Sequence, residues 1–243
     1  MIVEDPATPT VFTFLASKLG ELPESCEDVI ANRHRSGTVQ IALSDGATTA
    51  SFSAEWARLL TNWFTARSVH PDPEALVRIA PFLGRSWMRF VLARPLPWHA
   101  EEKAREGSFA TILGVTITGR QLKGIALGDT CLFHVRDGRL LSSFPYHSSE
   151  EFASRPVLVA TRMPAAGAMA GAVQSIEAEL DPADLVVMAT DGLAQWLMRN
   201  VESDVEPWSV FHEGSDALRE LVDVERNARR MRNDDIGCAW FTA

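Results

Sequence analysis

The stretch 109–143 constrains the fold more than any other part of this chain. Short apolar runs follow one another there: ATILGVTIT, then 121–127, 131–136 and 139–143. Each run is cut by a turn pair, Gly119-Arg120, Gly128-Asp129 and Asp137-Gly138. Asp-Gly between two such runs is a strong signal for a two-residue hairpin, because both turn residues must reach positive φ. The stretch predicts an antiparallel meander. It does not show the strand–helix–strand alternation of a doubly wound dinucleotide-binding sheet.

Helical periodicity lies on both sides of it. In 51–67, Trp56, Leu59, Leu60, Trp63 and Phe64 fall on one apolar stripe and read as core. Ser51 or Ser53 is expected to cap that helix, with Glu55 at its positive end. Further helices are expected over 74–80, ended near Pro81, and over 83–93, 97–105 and 215–231. Strands are expected at 28–31 and 38–44 around a polar turn at 32–37, at 157–161, as a pair at 173–180 and 184–190, and at 236–241. Residues 1–23 read as a peripheral segment, with one strand or short helix near 11–19. Residues 144–171, with Pro145, Pro156, Pro164 and AAGAMAGA, read as a loop excursion of the functional or mobile kind.

A chain of 243 residues, 46% of them hydrophobic, can bury a substantial core. Its net charge of -9 argues against a nucleic-acid backbone or an anionic membrane as partner. Cys26, Cys131 and Cys238 form no CxxC and sit in or beside apolar runs, as buried, reduced thiols would. No segment approaches the ~20 apolar residues of a membrane span, and the acidic start MIVEDPATPT is unlike a secretory leader. A soluble, cytoplasmic protein is expected.

The chemistry is carried by acids. VQIALSDGATT at 39–49 and LVVMATDGLAQWL at 185–197 share one grammar: an apolar strand, an Asp-Gly pair, then a helical pattern. Glu27, Asp28, Asp45, Asp129, Asp191, Asp234 and Asp235 all stand at strand ends or turns, and no histidine stands among them. An all-oxygen set suits a hard cation such as Mg²⁺ or Mn²⁺ and disfavours zinc. Asp-Gly is also a favoured turn dipeptide, and Asp137-Gly138 reads as a turn and nothing more.

The order of these motifs resembles the type 2C metal-dependent Ser/Thr protein phosphatases, the PPM family, in its bacterial form. The likeness runs from about residue 24 to the end of the chain. It lies in the Glu27-Asp28 pair, the strand into Asp45-Gly46, IALGDTCLFHVRDGRL with Gly128 and Asp129, DLVVMATDGLAQWL with Asp191 and Gly192, and NDDIGCAWF with Asp234. FPYHSSEEFASRP is similar to the loop region that follows the meander in that family. The resemblance implies a single α+β domain over 1–243, a four-layer α-β-β-α sandwich of two antiparallel sheets flanked by helices. It implies two Mn²⁺ or Mg²⁺ ions in a cleft at one end: Asp45 bridging both, the Gly46 carbonyl on one, Glu27 on the second with Asp28 orienting its water, and Asp191 and Asp234 completing the first. Asp129 with Asp191 would hold a third, weaker ion. The catalytic set implied is Asp28, Asp45, Asp191 and Asp234. The reaction implied is in-line attack of metal-bound hydroxide on phosphoserine or phosphothreonine in a protein, one that a cognate Ser/Thr kinase would phosphorylate.

Three positions depart from the family pattern. The usual phosphate-gripping arginine, five residues before the aspartate of the opening pair, is Pro23. Ala47-Thr48-Thr49 stands where glycines follow the first Asp-Gly, and Asp234-Asp235 stands for Asp-Asn, where spacing to the final strand favours Asp234 as the ligand. Losing a bidentate phosphate contact weakens substrate binding. These departures motivate two alternatives: a catalytically weakened binding or regulatory module that uses 144–171, and a small-molecule phosphomonoesterase. Arg33 and Arg35 are candidates for the missing contact, though turn arginines are usually solvated. Ser44 lies in no GxSxG. The six histidines show no ligand spacing, and the basic run 226–232 (RNARRMR) is expected to be a solvated face of the last helix.

Overall fold

The computed structural model describes residues 9–47, 50, 52–67, 69–162, 169 and 171–243. Two five-stranded antiparallel sheets lie face to face. The first runs in the order β1 (Phe12–Ala16), β12 (Ile236–Thr242), β11 (Leu185–Ala189), β7 (Cys131–Arg136), β8 (Arg139–Phe144). The second runs β10 (Gln174–Glu179), β6 (Gln121–Leu127), β5 (Ile112–Thr118), β3 (Thr38–Ser44), β2 (Val29–Arg35). A two-stranded ribbon, β4 (Phe109–Ala110) with β9 (Val159–Ala160), is appended. Between the sheets, Ile41, Leu43, Leu113 and Val115 meet Leu132, Val186, Met188 and Phe241, all buried. Helices α1 (Ser53–Thr65), α2 (Pro73–Leu92) and α3 (Trp98–Glu106) cover the second sheet. Helices α4 (Asp191–Glu202), α5 (Val210–Glu213) and α6 (Ser215–Asn227) cover the first. The expected four-layer α-β-β-α sandwich is the fold.

The helix stripe expected from periodicity anchors α1: Trp56, Leu60 and Phe64 are fully buried, and each contributes about 1.5–3 kcal/mol of burial free energy. The Trp56 indole donates to the Val159 carbonyl at 2.7 Å, so this tryptophan belongs to the core. Its cap differs from expectation. The N-cap residue is Phe52 at φ 55°, Ser53 lies inside the helix, and Thr48, Thr49 and Ser51 fall outside the described residues.

Pro81 does not divide α2, which runs 20 residues through it. Leu76, Ala80, Gly84, Trp87 and Val91 form one buried stripe on both sides of the proline, and that packing outweighs the lost backbone bond. Gly84 is required at this contact, because a Cβ there would stand 2.1 Å from the Thr161 carbonyl oxygen.

Four further expectations are corrected. The meander is shared between the two sheets: β5 and β6 pair in one, β7 and β8 in the other, and Gly128 at φ 113° carries the chain across. The pair expected at 173–180 and 184–190 is split likewise, β10 joining β6 while β11 joins β7 and β12. Alternation identifies a strand but not its sheet. The polar turn at 32–37 is only Ser36-Gly37, since Asn32 to Arg35 pair residue by residue with β3 on an edge strand that tolerates polar side chains. The last helix ends at Asn227, short of 231. Among the described residues all three cysteines are free, Cys131 and Cys238 buried and Cys26 half-buried. In the 144–171 excursion a 3₁₀ turn spans Ser149–Ala153 and β9 follows, while 163–168 and 170 are outside the described residues. No helix among the described residues is long and apolar enough to cross a membrane.

Candidate metal centre

The strand registers bring the acids together. Val29 pairs with Ser44, so the start of β2 and the end of β3 coincide. Leu43 pairs with Leu113 and Ile112 with Leu127, which adds the end of β6. In the facing sheet Cys131 pairs with Ala189 and Ala189 with Cys238, which aligns the start of β7, the end of β11 and the start of β12. Glu27-Asp28, Asp45-Gly46, Asp129, Asp191 and Asp234-Asp235 are the residues just beyond those strand ends. They therefore occupy one end of the sandwich.

Each is held by identifiable contacts. Asp28 is buried between the sheets, where its Oδ2 accepts a 2.8 Å hydrogen bond from the Thr190 hydroxyl. Thr190 Oγ1 in turn accepts from the Gly237 N–H at 2.9 Å. Gly237 must lack a side chain, because its Cβ would lie 3.3 Å from the Asp28 Cβ and 2.8 Å from Leu43. The Asp45 N–H donates to Thr111 Oγ1 at 2.8 Å, and its carbonyl accepts from the Thr111 N–H at 2.9 Å. Thr111 Oγ1 lies 2.6 Å from Thr130 Oγ1, which ties the Asp45 loop to the crossover that bears Asp129. Gly46 forms a lone β-bridge with Ala110. The Glu27 carboxylate accepts from the Ser53 hydroxyl. Asp191 opens α4, where the positive end of the helix dipole favours its charge.

The two candidate terminal acids separate by function. Asp235 is buried and spent on the backbone, accepting from the Lys18 N–H at 3.0 Å and the Glu27 N–H at 2.9 Å. Asp234 is half-buried, with Lys18 Nζ at 3.3 Å. Its Oδ1 also accepts from the Asp235 N–H at 3.0 Å, and Asp234 is the more exposed of the two carboxylates.

Burial and mutual repulsion raise the pKa of Asp28, Asp45, Asp129 and Asp191. Asp45 is pushed well up by burial first, then by Asp28, Asp191, Asp129 and Asp234. Asp28 is likewise raised by burial and then by Asp235, Asp191 and Asp234. Asp129 is raised to about 7 by burial and by Asp191. Asp191 is raised by burial, against the pull of Arg232. These carboxylates feel one another through a shared, poorly solvated space. Among the described residues no three His, Cys, Asp or Glu side chains already stand as a finished metal site.

The residues nevertheless fit a hard divalent cation. The donors are all oxygen. Asp28 Oδ1 is buried with no hydrogen-bond partner among the described residues. At Gly46 a Cβ would fill the cradle, 2.9 Å from the Glu27 carbonyl and from Ser53.

Residues 23–229 match the family model for "Protein phosphatase 2C". The chain belongs to the protein phosphatase 2C family. Among solved structures, a bacterial serine phosphatase is 10% identical with a TM-score of 0.66, covering 96% of this chain and 97% of its own. The Staphylococcus aureus serine/threonine phosphatase Stp1 is 10% identical with a TM-score of 0.66, covering 97% and 95%. The catalytic domain of the serine threonine protein phosphatase PstP, in complex with two manganese ions, is 14% identical with a TM-score of 0.63, covering 96% and 97%. At these identities the likeness is one of fold. No curated protein sequence matches this one.

Several residues that hold this acid-lined end carry no motif of their own in the sequence. Thr190, Thr111, Thr130 and Ser53 are ordinary polar residues until the strands place them. The basic run 226–232 is solvated as expected at Arg229, Arg230 and Arg232, but not at Arg226. Arg226 is buried and donates to the carbonyls of Ser17, at 2.9 Å, and of Asp234. Arg230 pairs with Glu225 at 2.5 Å, and Arg232 donates to Asp191 Oδ2 at 2.7 Å. Of the departures noted, Pro23 opens an exposed 3₁₀ turn (Pro23–Ser25). Arg35 is spent on the carbonyls of Ala66 and Arg67 at the end of α1, and Arg33 is exposed on β2.

Proposed function

We propose that this chain hydrolyses phosphoserine and phosphothreonine esters in proteins at the acid-lined end of the sandwich, using two Mn²⁺ or Mg²⁺ ions. The observation that carries the proposal is the convergence of Glu27, Asp28, Asp45, Asp129, Asp191 and Asp234, from five separate segments, on one poorly solvated end of the sandwich, where Asp28, Asp45, Asp129 and Asp191 are all held above the usual carboxylate range. Bound divalent cations would neutralise that charge, polarise the phosphoryl oxygens and make water acidic enough to attack near neutral pH.

In this reading Asp45 would hold both ions and the Gly46 carbonyl one of them. Glu27 would hold the second ion, Asp191 and Asp234 the first, and Asp129 with Asp191 a weaker third. Asp28 would orient the attacking water through Oδ1, which has no hydrogen-bond partner among the described residues, while the Thr190 hydroxyl fixes Oδ2. The test is release of phosphate from p-nitrophenyl phosphate and from phosphopeptides with Mn²⁺. Activity should vanish in Asp45→Ala and Asp191→Ala. Folded wild-type protein that is inert with every divalent cation would end the proposal.

A second reading is favoured by the cations already seated on these acids, Arg232 on Asp191 and Lys18 on Asp234, and by Pro23. There the chain is a phosphatase-fold binding module with little turnover. Calorimetry separates the two, since Mn²⁺ binding without turnover supports the module. Faster turnover of small phosphate esters than of phosphopeptides would instead support a small-molecule phosphomonoesterase.

A further inference from the structure

Arg232 stands on the link between α6 and β12, whose backbone is pinned on both sides. Upstream, the Met231 side chain is buried, and Arg230 N–H and Met231 N–H both donate to the Glu225 carbonyl, at 2.9 and 3.2 Å. Downstream, Asp235 accepts from two backbone N–H groups. The Arg232 side chain is not held in the same way. It is 49% exposed, with Nη1 2.7 Å from Asp191 Oδ2 and Nη2 4.0 Å from Asp234 Oδ2. A rigid root therefore delivers a half-solvated guanidinium onto two of the carboxylates that the proposed reaction assigns to a metal.

Such a contact is strong enough to occupy the acids and weak enough to give them up. A half-exposed ion pair contributes little, and its partner returns to water readily. A divalent ion brings twice the charge to the same oxygens and repels the guanidinium. The link keeps the displaced group within side-chain reach of the site. Its planar fork then suits the oxygens of a phosphate dianion, which it can grip bidentately. Arg33 and Arg35 lie elsewhere.

We propose that Arg232 is a resident counter-cation that competes with the divalent metal for Asp191 and Asp234 and, once displaced, becomes the residue that grips the phosphoryl group. This rests on the metal-dependent phosphatase reading above.

The experiment is calorimetry on the full chain, wild type against Arg232→Gln and Arg232→Lys. Mn²⁺ is titrated first, then inorganic phosphate into the Mn²⁺-loaded proteins. Arg232→Gln should bind Mn²⁺ about fivefold more tightly than wild type, and phosphate roughly tenfold more weakly. Arg232→Lys keeps the charge without the fork, so its Mn²⁺ affinity should stay near wild type while phosphate still weakens. Mn²⁺ affinity equal to or below wild type in Arg232→Gln overturns the proposal, as does unchanged phosphate affinity in both variants. If neither wild type nor variants bind Mn²⁺, the metal reading falls and this proposal with it. Measurable but unaltered affinities sink this proposal alone.

Discussion

Thr190 and Asp28 are 162 residues apart, and a 2.8 Å hydrogen bond between them joins the two sheets at the end where the acids gather. Thr190 Oγ1 donates to Asp28 Oδ2 and accepts from the Gly237 N–H, so one hydroxyl holds the second sheet's loop against β12 of the first. Replacing Thr190 by Val keeps the shape and deletes both bonds. The buried Asp28 Oδ2 and the Gly237 N–H lose this partner, at a cost of about 2–3 kcal/mol. Urea unfolding should show that loss, and turnover should fall because Asp28 is no longer oriented. Wild-type stability in Thr190→Val would mean that the bond is incidental.

Gly46 is the tightest point of the proposed metal cradle. In Gly46→Ala the new methyl meets the Glu27 carbonyl and the Ser53 backbone at 2.9 Å, neither of which can rotate away. The Asp45-Gly46 loop must shift, and Mn²⁺ affinity should drop by roughly tenfold or more, read by calorimetry. Asp137→Asn is the control. Asp137 and Gly138 form the β7–β8 turn with φ 51° and 75°, and asparagine tolerates that conformation. Its metal binding and activity should match wild type.

The metal-free protein should become less stable as pH rises toward neutrality. Asp129 is raised from 3.8 to about 7, and Asp28, Asp45 and Asp191 shift the same way. Between those values the folded state holds a proton that the unfolded chain has released, so stability falls across that window. In EDTA the urea midpoint should be higher at pH 5.5 than at pH 7.5. Saturating Mn²⁺ should reverse the order, because it competes with protons for the same oxygens. A flat profile in EDTA would show that these acids are solvated.

Asp184 has the opposite sign and a purely structural part. It is buried, with Arg136 bonded at 2.7 and 2.8 Å and His134 Nε2 at 2.7 Å. The Arg136 bonds first, then those from His134 and the backbone, hold its pKa well below the usual carboxylate range. Its contribution is present above the ordinary carboxylate pKa near 3.8 and is lost as pH falls through its own lower value. Asp184→Asn should cost about 2 kcal/mol at pH 7 by denaturant titration. Metal affinity should be unchanged, since this group lies at the far end of β11 from Asp191.

The chain's own pattern was enough to place the strands from 112 to 144, the α1 stripe of Trp56, Leu60 and Phe64, and the acids at strand ends. Each of those signals is local: a period of two, a period of 3.6, or a turn pair that requires positive φ. Motif order likewise pointed to the family. The sequence could not say that β6 and β7 belong to different sheets, because the residues on both sides of Gly128 alternate in the same way whichever sheet receives them. Spacing to the last strand favours Asp234 over Asp235, but the sequence could not show that Asp235 meets the N–H groups of Lys18 and Glu27, more than 200 residues away. Arg232 looked like one more solvated cation in a basic run. Only the register of β11 against β12 brings Asp191 to it, since hydrogen bonds and ion pairs between distant segments exist only once the sheets have closed.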